Sequence, residues 1–388
     1  MQVQVKEAFQ TPAKQGAALY VHVPFCVQRC DYCAFYREPP RRADMEAYLG
    51  ALRREWALSG ARGGAFETVF FGGGTPGVLT PEDFHAIGRW FESEGIRPKE
   101  WTVELSPATA HPARLQALKD IGVNRLSLGV QSFSDAFLKR LGRRCGREQI
   151  LRAIGALHTA GFSNFNIDLM IALPGQTPEA LLEDIEQAAA HDPAHISTYC
   201  LTFEDDAPLL GHLQKEGFSR NEQMERACYL AAWQRLPQLG YGHYEISNFA
   251  KPGRECIHNL NTWKMGQWLG LGPSAASQWQ NKRWGNIADL SLWLKGVNNG
   301  TPPHVDEVEL TNATLLADAL IFGLRLTKGV DLENLKTRFG EENLNMYSSL
   351  WPRLEAEGLL TRKNSHIFLT TEGLMLVDAV GAEILEYV

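Results

Sequence analysis

The sequence predicts an α/β protein: a partial (β/α)6 barrel of the TIM type followed by a C-terminal α+β domain of winged-helix character. Three observations carry that prediction. Six short β-like runs alternate with amphipathic helical stretches between residues 17 and 239, and such alternation implies parallel strands joined by right-handed helical crossovers. The runs number six, where a closed barrel of this type has eight. Beyond residue 312 the pattern changes to three helical stretches, a short hairpin and a last helix, the order of a winged helix.

The β-like runs fall at 17–24, 67–73, 102–107, 125–130, 164–171 and 195–201, each rich in β-branched or aromatic residues. Helical periodicity occupies 44–58, 81–94, 113–121, 147–160 and 178–191. Residues 1–240 therefore read as the core barrel, 241–304 as an aromatic-rich extension and linker ending at Pro302-Pro303, and 305–388 as the C-terminal domain. In that last part helices are expected from 312, over 331–339 and over 342–357, then a hairpin across 358–370. Leu315, Leu316, Leu320 and Leu324 recur at helical spacing and are expected to face the barrel. The domain would then cover the open side of the barrel as a lid that keeps water from reactive species.

Composition narrows the function classes. With 44% hydrophobic and 21% charged residues the chain reads as an ordinary globular protein. No stretch approaches the roughly 18 apolar residues of a membrane span, and the N-terminal residues 1–17 lack the apolar core of a signal peptide. A cytoplasmic location is expected. The formal charge of −7 lies wholly beyond Val305, where 14 acidic residues face 7 basic ones. Nucleic acid is thus a poor candidate partner, even for a winged helix.

In a barrel of this type the chemistry lies at the C-terminal ends of the strands, and the first such end carries His22-Val-Pro-Phe-Cys26-Val-Gln-Arg-Cys30-Asp-Tyr-Cys33. This C-x3-C-x2-C run puts three thiolates on one short loop. A [4Fe–4S] cluster held wholly by protein takes four cysteines, so three leave one iron open. The amino and carboxylate groups of S-adenosylmethionine can chelate that iron and receive an electron at the sulfonium. A zinc knuckle completed by a distant residue such as His22 is the competing reading, although structural zinc usually takes four ligands in paired units. Of the other cysteines, Cys200 and Cys228 read as buried structural thiols.

Gly72-Gly73-Gly74-Thr75-Pro76 follows the second run, where residues without side chains let the backbone approach a ligand or simply turn tightly. Glu104 ends the third run and suits a ribose or an ammonium. Gln131, Arg143 and Asp168 fall at later ends. Arg143 suits bidentate pairing with a carboxylate and Asp168 a ribose hydroxyl; an ordinary salt bridge at the barrel rim is the alternative for each.

On these residues the chain resembles the radical-SAM superfamily, in the branch of oxygen-independent coproporphyrinogen oxidases and HemW-type heme chaperones. The resemblance runs from Tyr20 to the C-terminus through FFGGGTP (70–76), VELSP (103–107), LGVQSF (128–133), LGR (141–143), IDLMIALPGQT (167–177), YEISNFAKPG (244–253) and HNLNTW (258–263). It implies that Cys26, Cys30 and Cys33 hold the cluster and that Tyr20, Gly73 and Glu104 contact a first S-adenosylmethionine. It also implies that Tyr32, Gly74, Thr75, Gln131, Arg143 and Asp168 correspond to residues holding a second one in the oxidases. An electron donor of flavodoxin or ferredoxin type follows from the same resemblance.

Within the branch, Cys33 is followed by Ala34-Phe35, where the oxidases carry one more cysteine, and 19 residues precede Tyr20. Both features resemble the HemW type. So does His258-Asn259-x-x-x-Trp263, similar to a heme motif H-N-x-x-Y-W, which implies His258 as an axial heme ligand; a core histidine bonded to backbone is the alternative. Thr262 stands at the tyrosine position of that motif, and Cys145 where a histidine is usual. Three functions follow as expectations: a heme chaperone passing heme to acceptor proteins; a radical enzyme acting on a small molecule or porphyrin by decarboxylation or methyl transfer; and, weakest, a DNA-binding regulator.

Overall fold

The computed structural model describes residues 16–202, 208–215 and 220–387. Most of the N-terminal stretch read above for a leader peptide lies outside them. Six parallel strands run in chain order: β1 (Ala17–Val23), β2 (Phe66–Gly73), β3 (Glu100–Leu105), β4 (Arg125–Gln131), β5 (Phe165–Ile171) and β6 (His195–Cys200). Each begins and ends within two residues of its expected run. The strands show why they must sit between two environments. One face of each supplies apolar side chains such as Leu19, Val21, Val69, Val103, Leu126, Leu128, Ile167 and Ile196 to the cluster formed with the crossover helices. The other face carries Thr68, Thr102, Arg125, Ser127, Asn166 and His195, all buried, with Asp168 half-buried. Polar side chains on an enclosed inner face are the mark of a strand curling round a site, because each must find a partner out of water.

The helices start where local chemistry starts them. Thr80 and Asp83 form a reciprocal capping box at Pro81–Ser93, and Thr177 caps Pro178–Ala190; in both, proline takes the first position, where no amide partner is lost.

Residues 241–304 do more than link. Gly242–Glu245 and Asn248–Ala250 pair as a hairpin beside β6, while Trp268–Leu271 pairs parallel with β1 at the opposite side. The strands Ala276–Trp279, Lys282–Asn286 and His304–Glu309 then follow antiparallel, giving one sheet of twelve strands. The boundary expected at residue 305 therefore falls inside a strand of the large sheet, and the compact C-terminal unit begins at Asn312. Its core is separate, built round Leu316, Leu320, Leu335, Leu350, Trp351, Leu354 and Ile367. The helix expected over 342–357 is two pieces, Glu341–Asn345 and Leu350–Ala356. Tyr347 turns inward between them and is buried, and the serines beside it favour turns over helix.

This unit docks on the flank and base of the barrel. Phe322 lies against Trp263 with ring centroids 6.1 Å apart, Arg325 stacks over the same indole at 4.7 Å, and Arg283 pairs with Asp318 at 2.6 Å. Thr327 donates to the His243 carbonyl at 2.8 Å. None of its residues lines the cavity at the strand ends. The expected lid over the mouth is thus corrected: Leu315, Leu316, Leu320 and Leu324 pack into the domain's own core, because a small domain needs those side chains for itself.

Candidate cofactor site

A cavity of about 660 Å³ opens at the C-terminal ends of the strands. Its walls bring together Cys26, Cys30, Cys33, Tyr32, Gly73, Gly74, Thr75, Glu104, Gln131, Arg143 and Asp168, although these are spread over 143 positions of the chain. Every site residue expected from the sequence is there except Tyr20 and His258.

The cysteine loop leaves β1 at Pro24 and is closed by short-range bonds. The Cys26 amide donates to the Glu38 carbonyl at 3.0 Å, and Arg37 Nη1 donates to the Cys33 and Phe35 carbonyls at 2.7 and 2.9 Å. It rests on the glycine loop: the Gly74 and Thr75 amides donate to Val23 and Phe25, and Thr75 Oγ1 lies 3.3 Å from Cys26 Sγ. Gly73 has φ 105°, and a Cβ there would meet the His22 ring at 2.7 Å; one on Gly74 would meet the Phe25 carbonyl oxygen at 2.7 Å. Only glycine allows this approach of the two loops.

The three thiols are free and half-buried. Among the described residues no set of three or more His, Cys, Asp or Glu side chains is gathered for a single metal ion; a cluster takes its thiolates at separate irons, so convergence on one point is not required of the loop. His22 is engaged elsewhere, 3.2 Å from Tyr20 Oη and 3.4 Å from the Tyr36 carbonyl, which removes it as a fourth zinc ligand. The buried Arg143 guanidinium donates to the Gly129 carbonyl at 2.6 Å and to Tyr32 Oη at 3.2 Å. Burial pushes the Cys30 thiol up and Arg143 pulls it back. A fixed cation beside three thiolates suits an anionic cluster.

Deeper in, Glu104 and Asp168 face the cavity. Burial, then the charge of Asp168, pushes Glu104 up to about 8, although the Gly73 amide donates to it. Asp168 is also raised by burial, against donors from Ser127 at 3.1 Å and Asn166 at 2.6 Å. Two buried carboxyls facing one space favour a cationic guest, and S-adenosylmethionine carries both a sulfonium and an ammonium. The residues present therefore fit both groups.

The cavity matches a family by sequence as well. A family model described as the Radical SAM superfamily matches residues 20–188, and one described as the HemN C-terminal domain matches 310–376. The chain is 31% identical over 368 residues to "Heme chaperone HemW" of Bacillus subtilis, covering 93% of this chain and 97% of that one. It is 32% identical over 387 residues to "Radical S-adenosyl methionine domain-containing protein 1, mitochondrial" of Mus musculus, covering 95% and 84%.

The chain belongs to the radical-SAM superfamily, in its HemW- and HemN-like branch.

Radical-SAM proteins hold a [4Fe–4S] cluster and S-adenosylmethionine. The fold agrees: the solved structure of coproporphyrinogen III oxidase (HemN) from Escherichia coli superposes with a TM-score of 0.83 at 22% identity, over 96% of this chain and 91% of that one. Among the described residues no helix is long and apolar enough to cross a membrane.

The structure adds residues that motif reading passed over. Tyr199, half-buried on the cavity wall, donates to Gln131 Oε1 at 2.6 Å. Gln131 itself has φ 73° after a register shift in β4, which aims its side chain into the cavity. Ser127 supports Asp168, and Met170 and Arg144 join the walls; so do Cys145, singled out above at a histidine position, and Cys200, which is half-buried on the cavity wall and not the buried structural thiol expected. The period of two along a strand held the signal for Ser127, Met170 and Tyr199, which lie two or four positions from identified residues or share their level in the sheet.

Two expectations are placed differently. Tyr20 is part of the wall beneath the glycine loop and does not line the cavity; a bulky ring on the inner face of β1 fills the space between Phe70 and His22. His258 lies in the barrel interior, 8% exposed, with Nδ1 2.9 Å from Thr68 Oγ1.

Proposed function

We propose that this chain is a heme chaperone that binds S-adenosylmethionine beside its cluster and carries heme for transfer to an acceptor protein. The observation that carries the reading is near full-length similarity to proteins named "Heme chaperone HemW" from several bacteria. The rim of the cavity supports it. Val27 and Phe35 are 74% and 69% exposed, with Arg37 and the exposed Arg144 nearby on the same walls. An apolar edge with cations complements a flat macrocycle bearing two carboxylates.

When bound, the cluster supplies the electron that breaks a carbon–sulfur bond of S-adenosylmethionine. The chain's own residues do the rest. Cys26, Cys30 and Cys33 would hold three irons, and the glycine loop and Glu104 would accept from the amino group that chelates the open one. Asp168, oriented by Ser127 and Asn166, receives the ribose. Tyr32, Gln131 and Arg143, expected to mark a second S-adenosylmethionine, are already bonded to Arg143, Tyr199 and Tyr32 with Gly129 respectively. These bonds shape that wall of the cavity.

Anaerobically reconstituted protein titrated with heme tests the reading. A Soret band shifted from free heme and saturating at one equivalent is expected; a spectrum that stays that of free heme would overturn it. Calorimetry gives the S-adenosylmethionine stoichiometry in the same preparation.

A further inference from the structure

His258 occupies the floor of the barrel. It rides on the helix Ile257–Trp263, whose first amides, of Ile257 and His258, each donate at 3.0 Å to the Glu100 carboxylate at the start of β3. That carboxylate serves the orphan amides and the positive end of the helix together, and so keys the helix to the strand. From there the imidazole points into the barrel. Its Nδ1 lies 2.9 Å from Thr68 Oγ1, and its ring centroid is 5.0 Å from Phe70 and 6.5 Å from Tyr20.

Above it the layers continue without a break. Tyr20 stacks on Phe70 at 6.3 Å and its hydroxyl reaches His22 Nδ1 at 3.2 Å. A Cβ on Gly72 would stand 3.1 Å from Tyr20 and 3.2 Å from Phe70, and one on Gly73 would stand 2.7 Å from His22. The glycine loop thus lies directly on these rings, and the Gly73 amide reaches Glu104. Burial holds His258 neutral, its pKa lowered to about 3. An axial ligand must present a ring nitrogen to an open macrocycle face, whereas His258 has Nδ1 beside Thr68, its ring packed against Phe70 and Tyr20, and only 8% of its surface exposed. Trp263, the other end of the motif, is committed to Phe322 and Arg325.

We propose that His258 is a positioning residue that supports the glycine loop from below, and that it is not the iron ligand for heme. The inference rests on the assignment of the cavity to S-adenosylmethionine. Interiors at crystal-like density transmit the loss of one ring to the next layer, so truncating His258 lets Tyr20 and Phe70 drop and the loop with them.

The test uses full-length, anaerobically reconstituted His258→Ala, His258→Gln and Thr68→Val proteins. Iron content, S-adenosylmethionine affinity by calorimetry, the change that S-adenosylmethionine causes in the electron paramagnetic resonance of the reduced cluster, and the heme Soret titration are measured on each. In His258→Ala the iron content and heme titration should match the unaltered protein. S-adenosylmethionine should bind about tenfold more weakly, as expected for about 1.4 kcal/mol, with a smaller resonance change. His258→Gln, able to keep the bond to Thr68, should recover most of the affinity. Thr68→Val removes that bond without touching the helix and should weaken binding in the same direction, which keeps the test decisive if His258→Ala fails to fold. Unchanged affinity in both His258→Ala and Thr68→Val overturns the proposal, as does loss of the Soret shift in His258→Ala with affinity intact. If Glu104→Ala also leaves affinity unchanged, the assignment of the cavity fails, and the role of His258 falls with it.

Discussion

Glu104 shows how a single side chain can be set by what is absent around it. Among the described residues no lysine or arginine bonds it, and its pKa rises to about 8 through burial and the neighbouring Asp168, with the Gly73 amide and Arg125 only partly opposing this. At pH 7 it is therefore mostly protonated, while accepting from the chelating amino group needs the carboxylate. Binding of S-adenosylmethionine at pH 7 should release a proton. Affinity should climb from pH 6.5 towards 8 and then level, as Glu104 and the ligand's amine, with a pKa of roughly 8, both lose the proton that opposes binding. Calorimetry in two buffers of different ionisation enthalpy reads the released protons directly; identical heats would sink this placement, and Glu104→Gln should reduce the difference. The cysteines give a second residue-scale prediction. Reconstituted protein should hold about four irons per chain, and the Cys26, Cys30 and Cys33 to Ala triple variant none. Cys200→Ala should keep the full complement although Cys200 lines the same cavity. Full iron in the triple variant would refute the assignment.

At the scale of elements, one buried acid ties three segments that are far apart in sequence. Glu55, on the helix Arg42–Leu58, accepts from the Gly272 amide at 2.8 Å, Asn286 Nδ2 at 2.7 Å and Trp293 Nε1 at 3.1 Å. It thereby pins the strands added beyond β1, and the helix Leu290–Asn298, to the barrel. Glu55→Ala leaves the Gly272 amide and Trp293 Nε1 unpaired, leaves Asn286 Nδ2 only its bond to the Gly272 carbonyl, and opens a cavity; it should cost about 3 kcal/mol or more. Chemical denaturation measures it; a loss under about 1 kcal/mol would show that water or side-chain rearrangement replaces the carboxylate. No periodicity announced this acid, because within its helix it reads as one more charge among Arg53, Arg54 and Glu55.

The whole molecule joins two cores through a narrow set of contacts. Trp263, Met265 and Arg283 on the barrel side meet Phe322, Arg325 and Asp318 on the C-terminal unit. Ending the chain after Leu310 would keep the twelve-stranded sheet and expose Trp263 and Met265 to water. The thermal midpoint of the barrel should fall by roughly 5 °C or more, while iron content and S-adenosylmethionine binding persist, since no residue of the unit lines the cavity. An unchanged midpoint would mean that the unit is a tethered acidic module and that the observed contacts add nothing to stability.

Local pattern determined by itself the six strands and their crossovers, the cysteine loop, the glycine loop and the residues at the strand ends, because each is written in consecutive or periodic residues that fold the same way wherever the chain places them. Glu104, Gln131, Arg143 and Asp168 were legible for that reason. Contacts between distant segments are written nowhere in the local pattern, and only the tertiary structure decided them. It seated Tyr20 and His258 beneath the glycine loop and outside the lining of the cavity, drew residues 241–304 into both sides of the sheet, and set the C-terminal unit at the flank. A side chain's type permits a role, but whether Nδ1 of His258 meets heme or Thr68 depends on which strand lies opposite, and that is settled by burial of the two cores together.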